Sequence, residues 1–499
     1  MQRALSILQH RKFLFAGGIF LLLIQYTITA GAQVQNTIDT SATLSLQQCV
    51  DMAIRNNPTV RQIEFTMESA KVTWQQQKAT MLPSVSGYVN YVNNGGRSIN
   101  NATNQYINTN YYSGYAQLQG SLVLWNGSSI QHFIRQYALN YEASRMDWQQ
   151  AKDQLTINVI LAYLNVLSSQ EQLNMAQRQI EATKGKVALL EIQNKEGSIA
   201  PSALTDMKGQ LASDEMTAVN TRNALETYKL TLAQLMNVPY SPNLKLENAS
   251  PETPPQLYDA TVDQIYQNAM QNLALVKASQ LHLASAEKGV SATRGNMAPT
   301  LSLVGQVNTN YSSAAATTQN FLTGYDTSQN GINSYVMNNG SRLPLFSPTF
   351  SQSSQKISFA DQIKNNRNTY FGLALNIPIL NGLRLRTLHR QAQIARDQAA
   401  FTANTTLVQL RQAIEQDYVN MQSAYRTYSA LVSQVENYTE SFRAAEIRFS
   451  LGAVSALTSL DYLNAKNNID RARLNMIQAK YNYILQTKVL DYFQGKLTF

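Results

Sequence analysis

The sequence predicts a mainly α-helical chain that also supplies strands to a membrane β-barrel, and three observations carry that expectation. One unit is written twice. Each copy holds a proline-free stretch of about seventy residues with a clean heptad pattern, and each holds strands that alternate between an apolar face and a small or polar face. Composition agrees. Hydrophobic residues make up 44% of the 499 residues and charged residues only 14%. That is too apolar for a disordered chain, yet no run beyond the N-terminus approaches the ~18 apolar residues of a membrane-crossing helix. A single cysteine, Cys49, excludes an intrachain disulfide and a cysteine-based metal site. The net charge of +9 is spread without a basic cluster, which argues against nucleic acid as a partner.

The first element is an address. Arg3, Arg11 and Lys12 precede the apolar run Phe13 to Ile24, and small residues follow in Ala30-Gly31-Ala32. Residues 1–32 therefore read as a secretory signal peptide, which takes the mature protein out of the cytoplasm.

The duplicated unit comes next. Ala53-Ile54-Arg55-Asn56-Asn57-Pro58 recurs 216 positions on as Ala269-Met270-Gln271-Asn272-Leu273-Ala274, and Met81-Leu82-Pro83 as Met297-Ala298-Pro299. Further along the shift becomes 255, taking Leu122, Leu124, Asn126 and Gly127 to Ile377, Ile379, Asn381 and Gly382, Gly197 to Gly452 and Asp206 to Asp461. The division expected is repeat one at 33–236, a linker at 237–260 holding five of the twelve prolines, and repeat two at 261–499.

Each copy reads helix, strand, loop, strand, very long helix, turn, helix. For copy one the expected pieces are 44–81, 84–92, 112–124, 127–196 and 203–236. No proline interrupts the chain between Pro83 and Pro201 or after Pro378, so both long helices can run unbroken. Val159, Val166, Leu173, Ile180 and Val187 are spaced by sevens, as are Leu407, Ile414, Met421, Tyr428, Val435, Phe442 and Phe449, the pattern of left-handed coiled-coil packing. A seventy-residue helix is ~105 Å long, and the two shorter helices of a copy stacked end to end match it. Each repeat thus yields two rods.

In the strands, Val85, Gly87, Val89 and Tyr91 share a face, as do Leu301, Leu303 and Val307, and Phe371, Leu373, Leu375, Ile377 and Ile379. One apolar and one polar face suits a barrel with lipid outside and water inside. Tyr88, Tyr91, Tyr111, Tyr112, Tyr115, Trp125, Tyr311, Tyr370 and Phe371 are expected as aromatic girdles, and 312–368 as a surface loop. Four strands cannot close a pore, so the barrel must be shared; a cyclic homotrimer gives twelve strands.

These features resemble the TolC-like outer-membrane efflux family over nearly the whole mature chain. The residues carrying the resemblance are Asn376-Ile377-Pro378-Ile379-Leu380-Asn381-Gly382 at a strand-to-helix junction, matched in copy one by Asn126-Gly127, and Arg448-Phe449-Ser450-Leu451-Gly452-Ala453-Val454 before Leu460-Asp461. Copy one carries Val123 where copy two has Pro378, and Pro201 inside its turn. The resemblance implies a trimeric barrel in the outer membrane, continued by a periplasmic helical tunnel. It implies a passive exit duct of a tripartite efflux or type I secretion system, served by a periplasmic adaptor and an inner-membrane pump. The alternative is a non-channel periplasmic coiled-coil adaptor. Gly197 and Gly452 are expected to turn the chain at the periplasmic tip. The resemblance makes Asp461, and by the repeat Asp206, candidates for an acidic ring at the entrance. Thr458-Ser459-Leu460-Asp461 also fits a helix capping box. No catalytic residue, cofactor or metal is expected: His132, His282 and His389 have no ligand-like spacing, and no phosphate-binding loop is present.

Overall fold

A computed structural model describes residues 43–100, 104–108, 110–247, 256–326, 335–450 and 456–496. The expected signal peptide and the second tip glycine, Gly452, lie outside the described residues. The chain runs β1 (Thr43–Leu44), α1 (Leu46–Asn56), α2 (Pro58–Ala79), β2 (Ser84–Asn94), β3 (Arg97–Asn100), β4 (Gln105–Asn108), β5 (Tyr111–Trp125), α3 (Ser129–Lys195), α4 (Pro201–Met236) and β6 (Lys245–Leu246). It continues through α5 (Val262–Asn272), α6 (Ala274–Gly295), β7 (Thr300–Ser312), β8 (Ala316–Asp326), β9 (Tyr335–Asn338), β10 (Ser341–Pro344), β11 (Ser347–Lys356), α7 (Phe359–Asn365), β12 (Asn368–Asn376), α8 (Arg384–Ser450) and α9 (Ala456–Phe493).

The duplication holds residue for residue in the first three helices of each copy, and the last pair differs only at its C-terminal end, α4 having 36 residues and α9 38. α1 and α5 have 11 residues, α2 and α6 have 22, and α3 and α8 have 67. The heptad residues Val159, Val166, Leu173 and Val187 are all buried on α3. On α8 the equivalent stripe is buried at Ile414 and Met421 only. The sequence pattern is the same; α8 simply has fewer neighbours within one chain.

The single helix expected over 44–81 is two helices. Asn57 takes an extended conformation and its side chain caps α2 through the N–H groups of Thr59 and Val60, with Pro58 at the first helical position. A residue before proline is driven out of the helical region. Yet the same break recurs at Leu273, φ −68° and ψ 133°, with no proline and no side-chain cap. Packing is the common cause. α1 must tilt to bury Cys49, Val50 and Ala53 in the core that also holds Val159, Ile160 and Tyr163 of α3, while Leu273 is itself buried beside Ile265 and Ile414. Capping boxes Ser45/Gln48 and Thr261/Gln264 start α1 and α5, each pairing two backbone donors.

The segment expected to be a loop, 312–368, is largely ordered. β8 and β11 pair over ten rungs, with a second small hairpin of β9 and β10. α7 is pinned at the base by buried Gln362, which accepts from Ser312 N at 2.8 Å and donates to Ser312 O at 2.9 Å. A Ser/Thr/Asn-rich composition marks exposure, not the lack of pairing. The linker is also partly structured: Lys245 and Leu246 pair in parallel with Thr43 and Leu44, and the Tyr163 hydroxyl donates to Glu247 O at 2.6 Å.

The sheet order is β12-β7-β5-β2, antiparallel throughout. Both repeats contribute adjacent strands, and β5 joins β7 across the repeat boundary. The sheet adjoins the N-termini of α3 and α8. Sixty-seven helical residues at 1.5 Å each put the far turn ~100 Å away.

Candidate functional site

The sheet register decides which side chains share a face. Leu375 lies opposite Leu301, Leu373 opposite Leu303, and Leu303 in turn opposite Leu122; Val307 faces Leu118, which faces Gly87. One side of all four strands is therefore apolar, with Val85 66%, Val89 77%, Leu373 65% and Leu375 60% exposed in the single chain. The other side carries Gln306 opposite Gln119, Asn308 opposite Gln117 and Ser84 opposite Ser121. There the Tyr115 hydroxyl donates to Gln117 Oε1 at 2.8 Å and Gln117 Nε2 to Gln119 Oε1 at 2.8 Å, while Asn308 Nδ2 donates to Tyr115 at 3.2 Å. The strands contain 11, 15, 13 and 9 residues for β2, β5, β7 and β12, against the ~9–11 of a tilted barrel strand.

The aromatic residues divide between these faces. Tyr91, Tyr112 and Tyr311 stack on the apolar side at the end away from the long helices, with ring centroids 5.5 and 6.4 Å apart, and Trp125 marks the helix end. Tyr88, Tyr115 and Tyr370 alternate onto the polar side, so they are not part of a lipid-facing girdle. Composition located the aromatics near the strands; only parity assigns their side.

At the junction, Gly127 and Ser128, and likewise Gly382 and Leu383, are paired left-handed residues at φ +63°, +62°, +59° and +63°. The carbonyls of Asn126 and Asn381 then accept from Ser129 N and Arg384 N, each at 3.2 Å, as the long helices begin. Pro378 lacks the N–H needed to prolong pairing and β12 stops at Asn376. Copy one has Val123 there, and β5 continues through a bulge to Trp125. A Cβ on Gly127 would sit 2.5 Å from Ala298 Cβ and 2.6 Å from Gly295 O, whereas Gly382 has open space. Gly127→Ala is expected to lower stability by about 1–3 kcal/mol from backbone strain alone, with the backbone clash added. Gly382→Ala carries the strain without the clash. Comparative thermal melts of the two variants check this; equal losses would contradict it.

At the far turn, Gly197 adopts φ +72°. Its N–H donates to Asn194 O at 3.1 Å and Ser198 N to Gln193 O at 2.8 Å, the two bonds of a Schellman cap. Pro201 opens α4 at its first position, where no N–H is required. Asp206 and Asp461 are both exposed sixth residues of their helices, α4 and α9. The capping-box expectation for Asp461 fails on this point: α9 starts at Ala456, so Asp461 lies a turn too deep to cap it. Beside Asp461, Tyr462 is 5% exposed, packed on Phe449 at 4.8 Å and Phe442 at 5.5 Å. Burial, with the carboxylates of Glu446, Asp470 and Asp214 nearby, pushes its hydroxyl up to about 12.

A buried ionic cluster below this turn was not anticipated. Lys466 Nζ reaches Asp214 at 2.9 and 3.2 Å and Asp470 at 2.7 Å, with Thr183 donating to Asp214 Oδ2 at 2.6 Å and Gln210 to Oδ1 at 2.8 Å. The Lys466 and Asp214 side chains are 5% and 7% exposed. The cluster ties α4 of the first copy to α9 of the second. Lys466 and Asp470, four apart, read in sequence as an ordinary solvated helix pair. Asp214, 252 positions away, gave no signal.

The geometry is that of a barrel segment mounted on a long two-copy helical shaft. The family described as outer membrane efflux protein matches residues 49–238 and 342–491. The chain belongs to the outer membrane efflux protein family. Its location is accordingly the outer membrane, with the shaft extending into the periplasm. Outer membrane protein TolC of Escherichia coli strain K12 is 23% identical over 457 residues, covering 88% of this chain and 80% of TolC. The solved CmeC outer membrane channel of Campylobacter jejuni matches with a TM-score of 0.69 at 17% identity, over 91% of this efflux protein and 86% of CmeC. The open state of the Neisseria gonorrhoeae MtrE outer membrane channel matches with a TM-score of 0.66 at 16% identity, over 91% and 89%. Among the described residues of the efflux protein no helix is long and apolar enough to cross a membrane, and no group of three potential metal ligands occurs.

Proposed function

We propose that three copies of this chain form a passive exit duct, a twelve-strand barrel continued by a periplasmic tunnel of helical rods. An inner-membrane pump, coupled through a periplasmic adaptor, drives cargo through it in an efflux or type I secretion system. The supporting observation is the four-stranded sheet with one continuous apolar face, one continuous polar face and two edges unpaired among the described residues. Twelve strands exceed the roughly eight at which side chains fill a barrel, so a water-filled lumen results. The same reading divides the chain into repeats 33–236 and 261–499 joined by the linker 237–260. Single-channel recording in planar bilayers tests it: discrete conductance steps are expected, and a protein that only bridges other components would give none.

The turn at Gly197 belongs to the periplasmic tip in this reading, and Asp461 lines the entrance. Three exposed carboxylates converging on a threefold axis would attract cations and repel one another. Asp461→Asn is expected to weaken cation preference and block by multivalent cations while the trimer stays intact. Asp206→Asn, its copy-one counterpart, serves as the comparison. Unchanged selectivity in Asp461→Asn, measured by reversal potentials, would remove Asp461 from the permeation path.

A further inference from the structure

The four barrel strands, Ser84–Asn94, Tyr111–Trp125, Thr300–Ser312 and Asn368–Asn376, hold no Asp, Glu, Lys, Arg or His. Charge is confined to the connections at the end away from the long helices, 95–110 and 313–367. These carry Arg97, Arg342, Lys356, Lys364 and Arg367 against Asp326 and Asp361. Two of the cations rest on rings, Arg97 on Tyr106 at 5.4 Å and Arg342 on Tyr335 at 4.6 Å. Lys356, Lys364 and Arg367 make no ion pair or ring contact among the described residues. Asp361 is engaged, since Ser358 Oγ donates to it at 2.5 Å. Asp326 lies opposite Ser347, at the far end of the β8–β11 ladder from Lys356. Three cations and one carboxylate are therefore gathered around α7.

α7 packs on the apolar side of the sheet. Thr309 Oγ1 donates to Ile363 O at 3.0 Å, and the Tyr311 ring meets Phe359 edge-on at 5.0 Å. Thr309 and Tyr311 share the strand parity of Leu303 and Val307. Asn366 Nδ2 adds a bond to Asn310 O at 2.8 Å. The height of α7 follows from the register. Thr309 lies opposite Ala116, nine residues along β5 from Trp125 at the helix end, and a tilted strand crosses the hydrocarbon in ~9–11 residues. α7 thus stands at the outer interface, beside the stack of Tyr91, Tyr112 and Tyr311. β7 is an inner strand of the sheet, so one chain holds the whole site.

We propose that α7 and its flanks bind the phosphorylated headgroup of a lipid in the outer leaflet, Lys364 and Arg367 meeting the phosphates and Phe359 with Tyr311 receiving the start of the acyl chains. This rests on the apolar side being the lipid side, which Leu375→Arg tests separately. A cation on the outer wall of a barrel is tolerated near the interface and costly below it. An anion at the same depth offsets what cost remains, and a guanidinium grips phosphate oxygens in pairs. The apolar shelf selects lipid over free phosphate. Phe359 is 61% exposed on the same short helix as Lys364, and a soluble anion has no use for it. Lys356 extends the patch at the base of the β8–β11 hairpin.

Lipid A carrying two phosphates, added to the purified protein in mild detergent, is expected to raise its melting temperature and to stay bound in native mass spectra. Removing the phosphates from the lipid should abolish both effects. Lys364→Gln with Arg367→Gln should weaken half-saturation roughly tenfold or more, two cations having been removed from the headgroup. Arg342→Gln, whose cation already rests on Tyr335, should bind as the unaltered protein does. Phe359→Ser keeps every charge and should weaken lipid binding as well. Equal binding of the phosphate-free lipid, measured on the unaltered protein, overturns the proposal whether or not the variants assemble. Undiminished binding by the double variant does the same. Inorganic phosphate that protects as well as the lipid would make this a free-anion site and overturn the lipid. Each of these failures leaves the duct and its lipid face standing, since Leu375→Arg and single-channel recording report on those alone.

Discussion

Replacing Lys466 by methionine is expected to cost about 3–5 kcal/mol, the largest effect of any single polar substitution in the shaft, because it strands two neighbouring carboxylates in a dry site. Asp214 is held there by Thr183 and Gln210 and cannot swing into water without abandoning both bonds. Asp214→Asn alone removes one charge and leaves the ammonium paired with Asp470, so its cost is smaller. The double variant Lys466→Met with Asp214→Asn should recover part of the loss, which a double-mutant cycle in thermal unfolding would register as coupling. The cluster is ten residues into α9, ~15 Å from its start, and it joins the two copies. Loosening it should therefore speed amide exchange across 456–470 and raise single-channel conductance, while strand pairing is unaffected. Additive single-variant losses with unchanged exchange in α9 would show that the cluster neither clamps nor matters to the entrance.

Leu375→Arg is expected to prevent assembly in the membrane, whereas Asn376→Arg, one position along the same strand, should assemble and change conductance only. A cation on the lipid face costs about 2–4 kcal/mol near the midplane, and a trimer incurs it three times. Leu375 is paired with Leu301 on the apolar side, and Asn376 with Thr300 on the side of the Gln117–Gln119 ladder. Heat-modifiability of outer-membrane fractions distinguishes the variants. Failure of Asn376→Arg alone would invert the assignment of lipid and lumen faces, and equal folding of both variants would overturn it.

The duplicated plan was legible because it is local and repetitive. Heptads at Val159 to Val187 and at Leu407 to Phe449 are a helical period read over many turns, and proline-free stretches let the period run. Left-handed Gly197 at the end of α3 was likewise a residue-type signal, since glycine tolerates φ > 0 without strain. The signals that failed are those in which one symbol has two physical outcomes. Pro58 breaks a helix, but Leu273 breaks its counterpart with no proline, because the tilt serves the core and not the residue. Ser/Thr/Asn-rich 312–368 is exposed and yet pairs as a hairpin, since backbone hydrogen bonds do not depend on side-chain polarity. Thr458 and Asp461 have capping-box spacing, but α9 begins earlier, at Ala456.

The sequence by itself determined the periods: two copies, the phase of each strand and helix, and the glycines and prolines that stop them. Those follow from interactions within a few residues, where geometry is set by the backbone. The tertiary structure alone decided partnerships across distance. It put Asp214 on Lys466, set Gly127 against Gly295, and carried the apolar face unbroken from β12 through β7 and β5 to β2. No short-range pattern encodes such choices, because each depends on which of many compatible surfaces the whole chain can bring together at once.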